Sequence, residues 1–190
     1  MGTLQVGGTT LGVKNTSTNK VDLSNTNLGS DTIFPGPTSG SFGGHILQSN
    51  SGVYNFTNDT SVSTTSATFG PVVSMEMIQA NAKVIGLLTL GEIYSGTASG
   101  QCTMSLAYKT SSFSAGQGNT GQGVTVLTGN QCVWRVSGQN PACFILNGTL
   151  SNTAGQTIYF AGEAVSSHTR YLNYSGGSAN CTLTVFEVKT

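Results

Sequence analysis

The stretch Cys102-Thr103-Met104-Ser105-Leu106-Ala107-Tyr108-Lys109 decides the fold. Cys102, Met104, Leu106 and Tyr108 alternate with Thr103, Ser105, Ala107 and Lys109. A period of two places the first set on one face of an extended chain and the second on the other, the pattern of a half-buried β-strand. Upstream, residues 82–94 contain Lys83-Val84-Ile85-Gly86-Leu87-Leu88-Thr89-Leu90, a long apolar run. It is too β-branched and too Gly-broken for a helix and predicts a buried strand. Further short runs follow the same style at 53–56, 123–127, 131–136, 142–146, 157–164 and 181–188. Turn residues separate them, in Ser137-Gly138-Gln139-Asn140-Pro141, Asn147-Gly148 and Ser175-Gly176-Gly177-Ser178. Residues 73–82 hold a weak helical pattern, and a strand is expected there too. Eight or more strands at this spacing predict an all-β domain, an antiparallel β-sandwich or jelly roll.

Composition points the same way. Only 7% of the 190 residues are charged, against roughly 25% in an ordinary soluble domain. Ser and Thr together number about 50, and Gly 26, so hydroxyls and amides must cover the surface. The apolar fraction is 37% and comes in periodic runs, which excludes a disordered chain. Net charge is zero and the seven Lys and Arg are scattered, which leaves no electrostatic footprint for nucleic acid. A chain with so few charges has little colloidal repulsion, which suits a subunit of an assembly. No stretch approaches the roughly 20 apolar residues of a membrane span, so no membrane insertion is expected.

Residues 1–43 differ from the rest. Single apolar residues (Leu4, Val6, Leu11, Val13, Val21, Leu23, Leu28) punctuate Gly, Thr, Asn and Ser without helical period. The breaker cluster Phe34-Pro35-Gly36-Pro37-Thr38-Ser39-Gly40 reads as a linker. The expected organisation is an extended N-terminal attachment segment and linker over 1–43 and a β-sandwich head over 44–190. The start, Met1-Gly2-Thr3-Leu4-Gln5-Val6, lacks the basic and apolar regions of a signal peptide, so release by lysis rather than secretion is expected.

The last strand, 181–188, is apolar on both faces. Cys181, Leu183 and Val185 share one face, and Phe186 and Val188 lie on the other. Two readings stay open: a central strand covered on both sides, or an edge strand at a subunit interface.

The four cysteines allow three disulfide connectivities. If strands 131–136 and 142–148 form a hairpin around 137–142, residues whose numbers sum to 275 face each other. Cys132 and Cys143 then oppose at a Cα distance of about 4.5 Å, which suits a disulfide, and Cys102 and Cys181 remain. The competing reading keeps all four as small buried thiols. No Cys-x-x-Cys pair exists and His45 and His168 belong to no ligand spacing, so no metal or other cofactor is expected.

Gly116-Gln117-Gly118-Asn119-Thr120-Gly121 has the letters of a dinucleotide fingerprint, but a strand rather than a helix follows, so a flexible loop is expected. The seven carboxylates, Asp22, Asp31, Asp59, Glu76, Glu92, Glu163 and Glu187, form no recognisable catalytic pair, and no Gly-x-Ser-x-Gly anchors a serine nucleophile. No enzymatic activity is expected. Trp134 reads as core, sharing a strand face with Cys132 and Val136. Tyr171 and Tyr174, in Arg170-Tyr171-Leu172-Asn173-Tyr174, fall in an expected loop and are the candidate receptor contacts.

Three segments carry a resemblance: Met1-Gly2-Thr3-Leu4-Gln5-Val6-Gly7-Gly8-Thr9-Thr10; Gly43-Gly44-His45-Ile46-Leu47-Gln48; and the sequence of Thr64-Thr65-Ser66-Ala67-Thr68-Phe69, Asn81-Ala82-Lys83-Val84 and Cys181-Thr182-Leu183-Thr184-Val185-Phe186-Glu187-Val188. The chain resembles short virion surface proteins of bacteriophages, particularly those of marine cyanobacteria. The resemblance implies a homotrimeric jelly-roll head, similar to the globular heads of the complement and tumour-necrosis-factor type. It implies attachment to other virion proteins, capsid or tail, through residues 1–43, and a location on the virion surface. No long shaft joins the two parts, which favours a short knob, head fibre or capsid decoration over a full tail fibre. A receptor-binding adhesin that recognises a host glycan or protein is the alternative.

Overall fold

The computed structural model describes residues 3–6, 9–15, 20–22, 46–57, 60–62, 65–95, 101–127, 132–134, 138–166, 170–173 and 179–189. The chain divides into two compact units, Met1–Phe42 and Gly43–Thr190. In the first, β1 (Thr3–Val6), β2 (Thr9–Asn15) and β3 (Lys20–Asp22) form a small antiparallel sheet in chain order. Val6 pairs with Thr9, and Val13 pairs with both Thr3 and Asp22.

The second unit is the head. Its strands are β4 (Ile46–Phe56), β5 (Thr60–Val62), β6 (Ala67–Glu76), β7 (Lys83–Ser95), β8 (Cys102–Lys109), β9 (Gly116–Thr120), β10 (Thr125–Val126), β11 (Cys132–Trp134), β12 (Gly138–Thr149), β13 (Thr157–Ser166), β14 (Arg170–Asn173) and β15 (Ala179–Val188). Every regular element among the described residues is a strand, and all pairings are antiparallel. One sheet runs β4-β15-β7, with β12 on the far side of β7 and β14 and β5 continuing its end. The other runs β8-β13-β6-β9, with β10 and β11 along the free side of β8. The result is a β-sandwich.

The core follows from the pleat. In the first sheet, register aligns Leu183 with Leu88 and Phe144, and Val185 with Gly86 and Leu146. In the second, it aligns Ala164 with Met104 and Ala67, and Phe160 with Tyr108 and Val73. Alternation sends these rows inward, where they form one cluster with Phe56, Phe69, Leu90, Leu106 and Ile158. Truncating a fully buried leucine of this kind costs about 2–5 kcal/mol. The inward set read at Cys102–Lys109 is the observed one, since Cys102, Met104 and Leu106 belong to the core, but the strand is not half-buried: Ser105 and Ala107 on its other face are buried too.

Close approach of the sheets needs glycine at Gly52, where a Cβ would lie 2.9 Å from Pro71 Cβ, and most sharply at Gly70. Gly70 sits at a break in the β6 register with φ +79°, a conformation L side chains rarely adopt. A Cβ there would lie 2.7 Å from Cys181 Sγ on the opposite sheet.

The end of the sandwich is closed by a turn, 77–82, pinned from two sides. The Glu187 carboxylate, fully buried, accepts from Ile78 N (2.9 Å), Gln79 N (2.8 Å) and Gln48 Nε2 (2.6 Å). Asn152, also buried, accepts from Ala82 N (2.9 Å) and donates to the carbonyls of Gln79 and Thr153 (2.8 Å each). Short polar side chains thus satisfy a backbone that has left both sheets. Residues 73–82, weakly helical by pattern, are strand to Glu76 and then this turn, with Asn81 left-handed at φ 49°.

Several expectations need correction. Gly138 to Pro141 is strand rather than turn: β12 begins at Gly138, and a register shift between Asn140 and Ala142 leaves Pro141, which has no N–H, out of the ladder. Asn147-Gly148 also lies inside β12; the glycine is a packing residue, since a Cβ there would lie 2.9 Å from Leu127 Cβ. Gly116–Thr120 is a strand, paired to β6, and not a loop. The segment 181–188 is central, between β4 and β7, not an edge. The hairpin placing Cys132 opposite Cys143 does not form. Cys132 pairs with Met104 in one sheet and Cys143 with Thr89 in the other, because β12 takes the full length of β7 as its partner. The turn expected at 175–178 lies outside the described residues.

Two measurements check this account. Gly70→Ala is expected to lose about 3 kcal/mol in denaturant unfolding, from left-handed strain plus overpacking. Adding Cys181→Ala should recover part of that loss, because the clash is with Sγ. Asn152→Ala should lose about 2–3 kcal/mol, since it orphans the Ala82 N–H and the Gln79 carbonyl at the turn.

Candidate interaction surfaces

The outward face of the first sheet follows from the register that builds the core. Across β4, β15, β7 and β12, three successive rows read Ser49, Phe186, Ile85, Asn147; then Ser51, Thr184, Leu87, Ile145; then Val53, Thr182, Thr89, Cys143. Apolar side chains are mixed with hydroxyls and one amide, and no row holds a charge. Val53 is 62% and Ile145 61% exposed, while Ile85, Leu87 and Phe186 are half-buried. The run at 82–94 is therefore buried on one face only. Val84, Leu88, Leu90 and Ile93 are in the core, and Ile85 and Leu87 look outward. At one end of the face, Lys83 and exposed Ile46 flank Val188.

The outward face of the second sheet is different. Thr68 of β6, Glu163 of β13 and Ser105 of β8 lie side by side, and all three are buried. Ser66 Oγ donates to Glu163 Oε1. Thr68 Oγ1 donates to the Asn119 carbonyl (3.2 Å) and Asn119 Nδ2 to the Ala115 carbonyl (2.7 Å). Lys109, further along β8, donates Nζ to the Gln122 carbonyl (2.9 Å) and so ties the segment after β9 back to the sheet. A cleft of about 290 Å³ opens between Thr65–Thr68 and residues 119–124.

Cys143 and Cys181 are free thiols, Cys181 buried and Cys143 exposed, and Cys102 is buried. The Cys132 and Trp134 side chains lie outside the described residues. Burial pushes the Cys181 thiol up to about 12 from 9.0.

Tyr171 is half-buried in β14, its ring centroid 6.1 Å from that of Tyr94 at 41°. Tyr171 is thus a strand residue in a ring pair, not a loop residue. Tyr174, His45 and His168 lie outside the described residues. Among the described residues no three His, Cys, Asp or Glu cluster in a way that holds a metal ion, and no helix is long and apolar enough to cross a membrane. Sequence reasoning saw the carboxylate Glu163 without a setting, and the exposed Val53 and Ile145 only as members of the strand-like runs 53–56 and 142–146. The setting of each comes from cross-strand neighbours 50 or more positions away in sequence, such as Thr68 and Ser105 beside Glu163.

No known family profile matches the chain, and no curated protein is similar to it.

The thiol environment gives a test with a defined sign. The folded state holds the Cys181 proton more tightly than the unfolded state. The stabilisation this represents is complete below about pH 9 and is lost as pH rises from about 9 to about 12. Alkaline unfolding of Cys181→Ala should therefore fall less steeply over that range than that of the parent. Cys102 and Cys181 should resist iodoacetamide at pH 8 until denaturant unfolds the head.

Proposed function

We propose that this chain is a non-enzymatic structural subunit whose head packs into a homotrimeric surface assembly through the outward face of β4, β15, β7 and β12. One observation carries the proposal: a sheet face four strands wide that exposes Val53 and Ile145 among hydroxyls and amides and has no charge across its central rows. Four strands at about 4.8 Å spacing and ten residues at about 3.3 Å give a flat area of roughly 600 Å². That approaches the roughly 800 Å² per partner of a stable interface. Absence of charge matters as much as area. Copies of one surface meet without like-charge repulsion, and no ion has to be desolvated. A chain with 7% charged residues has little else to keep copies apart.

The place of this assembly on a bacteriophage virion, as a short knob, head fibre or capsid decoration held by residues 1–43, rests on the sequence resemblance. Receptor recognition, the alternative use of such a head, calls for a ligand site elsewhere on the sandwich.

The test is solution mass by light scattering. The parent chain is expected near three times 19.5 kDa, and Ile145→Asp near 19.5 kDa with unchanged circular dichroism. Cys143, on the same face, should react with iodoacetamide at least about tenfold faster in that variant than in the assembled parent. A parent chain that stays monomeric at high concentration would refute the proposal.

A further inference from the structure

The outward face of β4, β15, β7 and β12 is bordered by two strands of different kinds. β4 is an edge strand of eleven residues, Ile46–Phe56, paired only with β15. It holds no Pro and no charged residue. Gln48 Nε2 and Asn50 Nδ2 donate to the Glu76 (2.6 Å) and Ser74 (2.8 Å) carbonyls of β6. These bonds tie β4 to the opposite sheet without giving it a second ladder partner. The other edges among the described residues are blunted. β9 spans five residues, with Gly116 and Gly118 at φ +56° and +113°. β5, β10 and β11 span two or three residues each. β12 carries Pro141 at its register shift. Short length, proline, bulges and charge are the devices that keep an edge strand from pairing with another chain. β4 lacks all of them, so its cover has to come from a second chain.

Exposure across the face points to the same borders. Val53 on β4 and Ile145 on β12 are the exposed large apolar side chains of this face, while Ile85, Leu87 and Phe186 between them are half-buried. The surface with most to gain from burial therefore lies along both outer strands.

Width decides how many copies close. Four strands at about 4.8 Å make the face about 19 Å wide, and stacked sheets lie about 10 Å apart, so one layer of side chains fills about 5 Å. Three such faces set as a triangular prism stand about 5.5 Å from the common axis, which side chains fill. Four would stand about 10 Å from it and leave an open channel. Two faces stacked directly would bury the face but leave both β4 edges bare. The prism covers the face and the edge together, because β4 of each copy meets β12 of the next at a corner. Neither strand holds a charged residue, so no ion is desolvated there. A three-fold rotation carries no translation along its axis. With the strands along that axis, each row therefore meets its own row in the next copy. We propose that three copies close in this way, Val53 of one beside Cys143 of the next and Ser51 beside Ile145, a heterologous contact repeated around a three-fold axis. The inference rests on the face assembly proposed above and adds which strands meet.

Disulfide trapping on the full chain tests it. Val53 and Cys143 end the same row, separated by Thr182 and Thr89. Within one copy their Cα atoms are three strand spacings apart, about 14 Å, beyond the roughly 7 Å reach of a disulfide. In Val53→Cys, any bond from position 53 to Cys143 therefore joins two copies. Diamide is the oxidant and takes up the two electrons and two protons released as two thiols form each S–S bond. Non-reducing electrophoresis is expected to show covalent trimer, since each copy offers one thiol to each neighbour and the ring closes at three. Adding Cys143→Ala should abolish that trimer. Both positions are exposed, so neither change should disturb the fold. Light scattering separates the two claims. If Val53→Cys has the mass of a trimer but yields no covalent species, or none beyond dimer, the contact of β4 on β12 is overturned and the face assembly stands. Covalent trimer that survives Cys143→Ala overturns the contact as well. A parent chain that remains at 19.5 kDa removes the assembly and this contact with it.

Discussion

The head depends on the inward face shared by β15, β7 and β12. Leu183, Leu88 and Phe144 form one row and Val185, Gly86 and Leu146 the next, and both must be covered by Met104, Leu106, Phe160 and Val73 of the opposite sheet. Because the side-chain period of a strand is two, this burial fixes everything on the other side. A slip by one residue would exchange Leu88 for Leu87 in the core and Val185 for Phe186. The outward rows are thus consequences of the inward ones, and their apolar residues are there at a cost in solubility that core packing does not require. Ile145 and Val53 lie opposite core residues only in the sense that they alternate with Phe144 and Tyr54.

The two outward faces divide the surface by chemistry. The first sheet offers a plane of apolar, hydroxyl and amide side chains with no charge in its central rows. The second buries Thr68, Glu163 and Ser105 side by side in its middle. The polar groups that serve the fold itself are different ones. Glu187 and Asn152 spend their acceptors and donors on the 77–82 turn and are satisfied internally. Glu163 has one such partner, Ser66 Oγ.

Much of the fold was legible in the sequence, because the signal was local. Alternation at 102–109 and β-branched density at 82–94 are properties of neighbouring residues, and both became strands, but their burial differs from the expectation: Ser105 and Ala107 are buried on the outer side of the first, and Ile85 and Leu87 look outward on the second. The errors fell where a residue's role is set by distant contacts. Gly148 reads as a turn former but is small because Leu127 crosses over it. Pro141 reads as a strand breaker but sits at a register shift. Cys132 and Cys143 were matched by an assumed hairpin, while β12 found a longer partner in β7. The candidate sites were the least legible part, since Glu163 acquires its meaning from Thr68 and Ser105, which pairing alone brings together.

The most direct test of the assembly claim is hydroxyl-radical footprinting of the full chain as a function of protein concentration. Val53, Ile145 and Phe186 should become protected as concentration rises, while Ile78, exposed on the 77–82 turn and off that face, keeps its labelling. Equal labelling of Val53, Ile145 and Ile78 at every concentration would contradict the account and leave the apolar sheet face without a partner of its own kind.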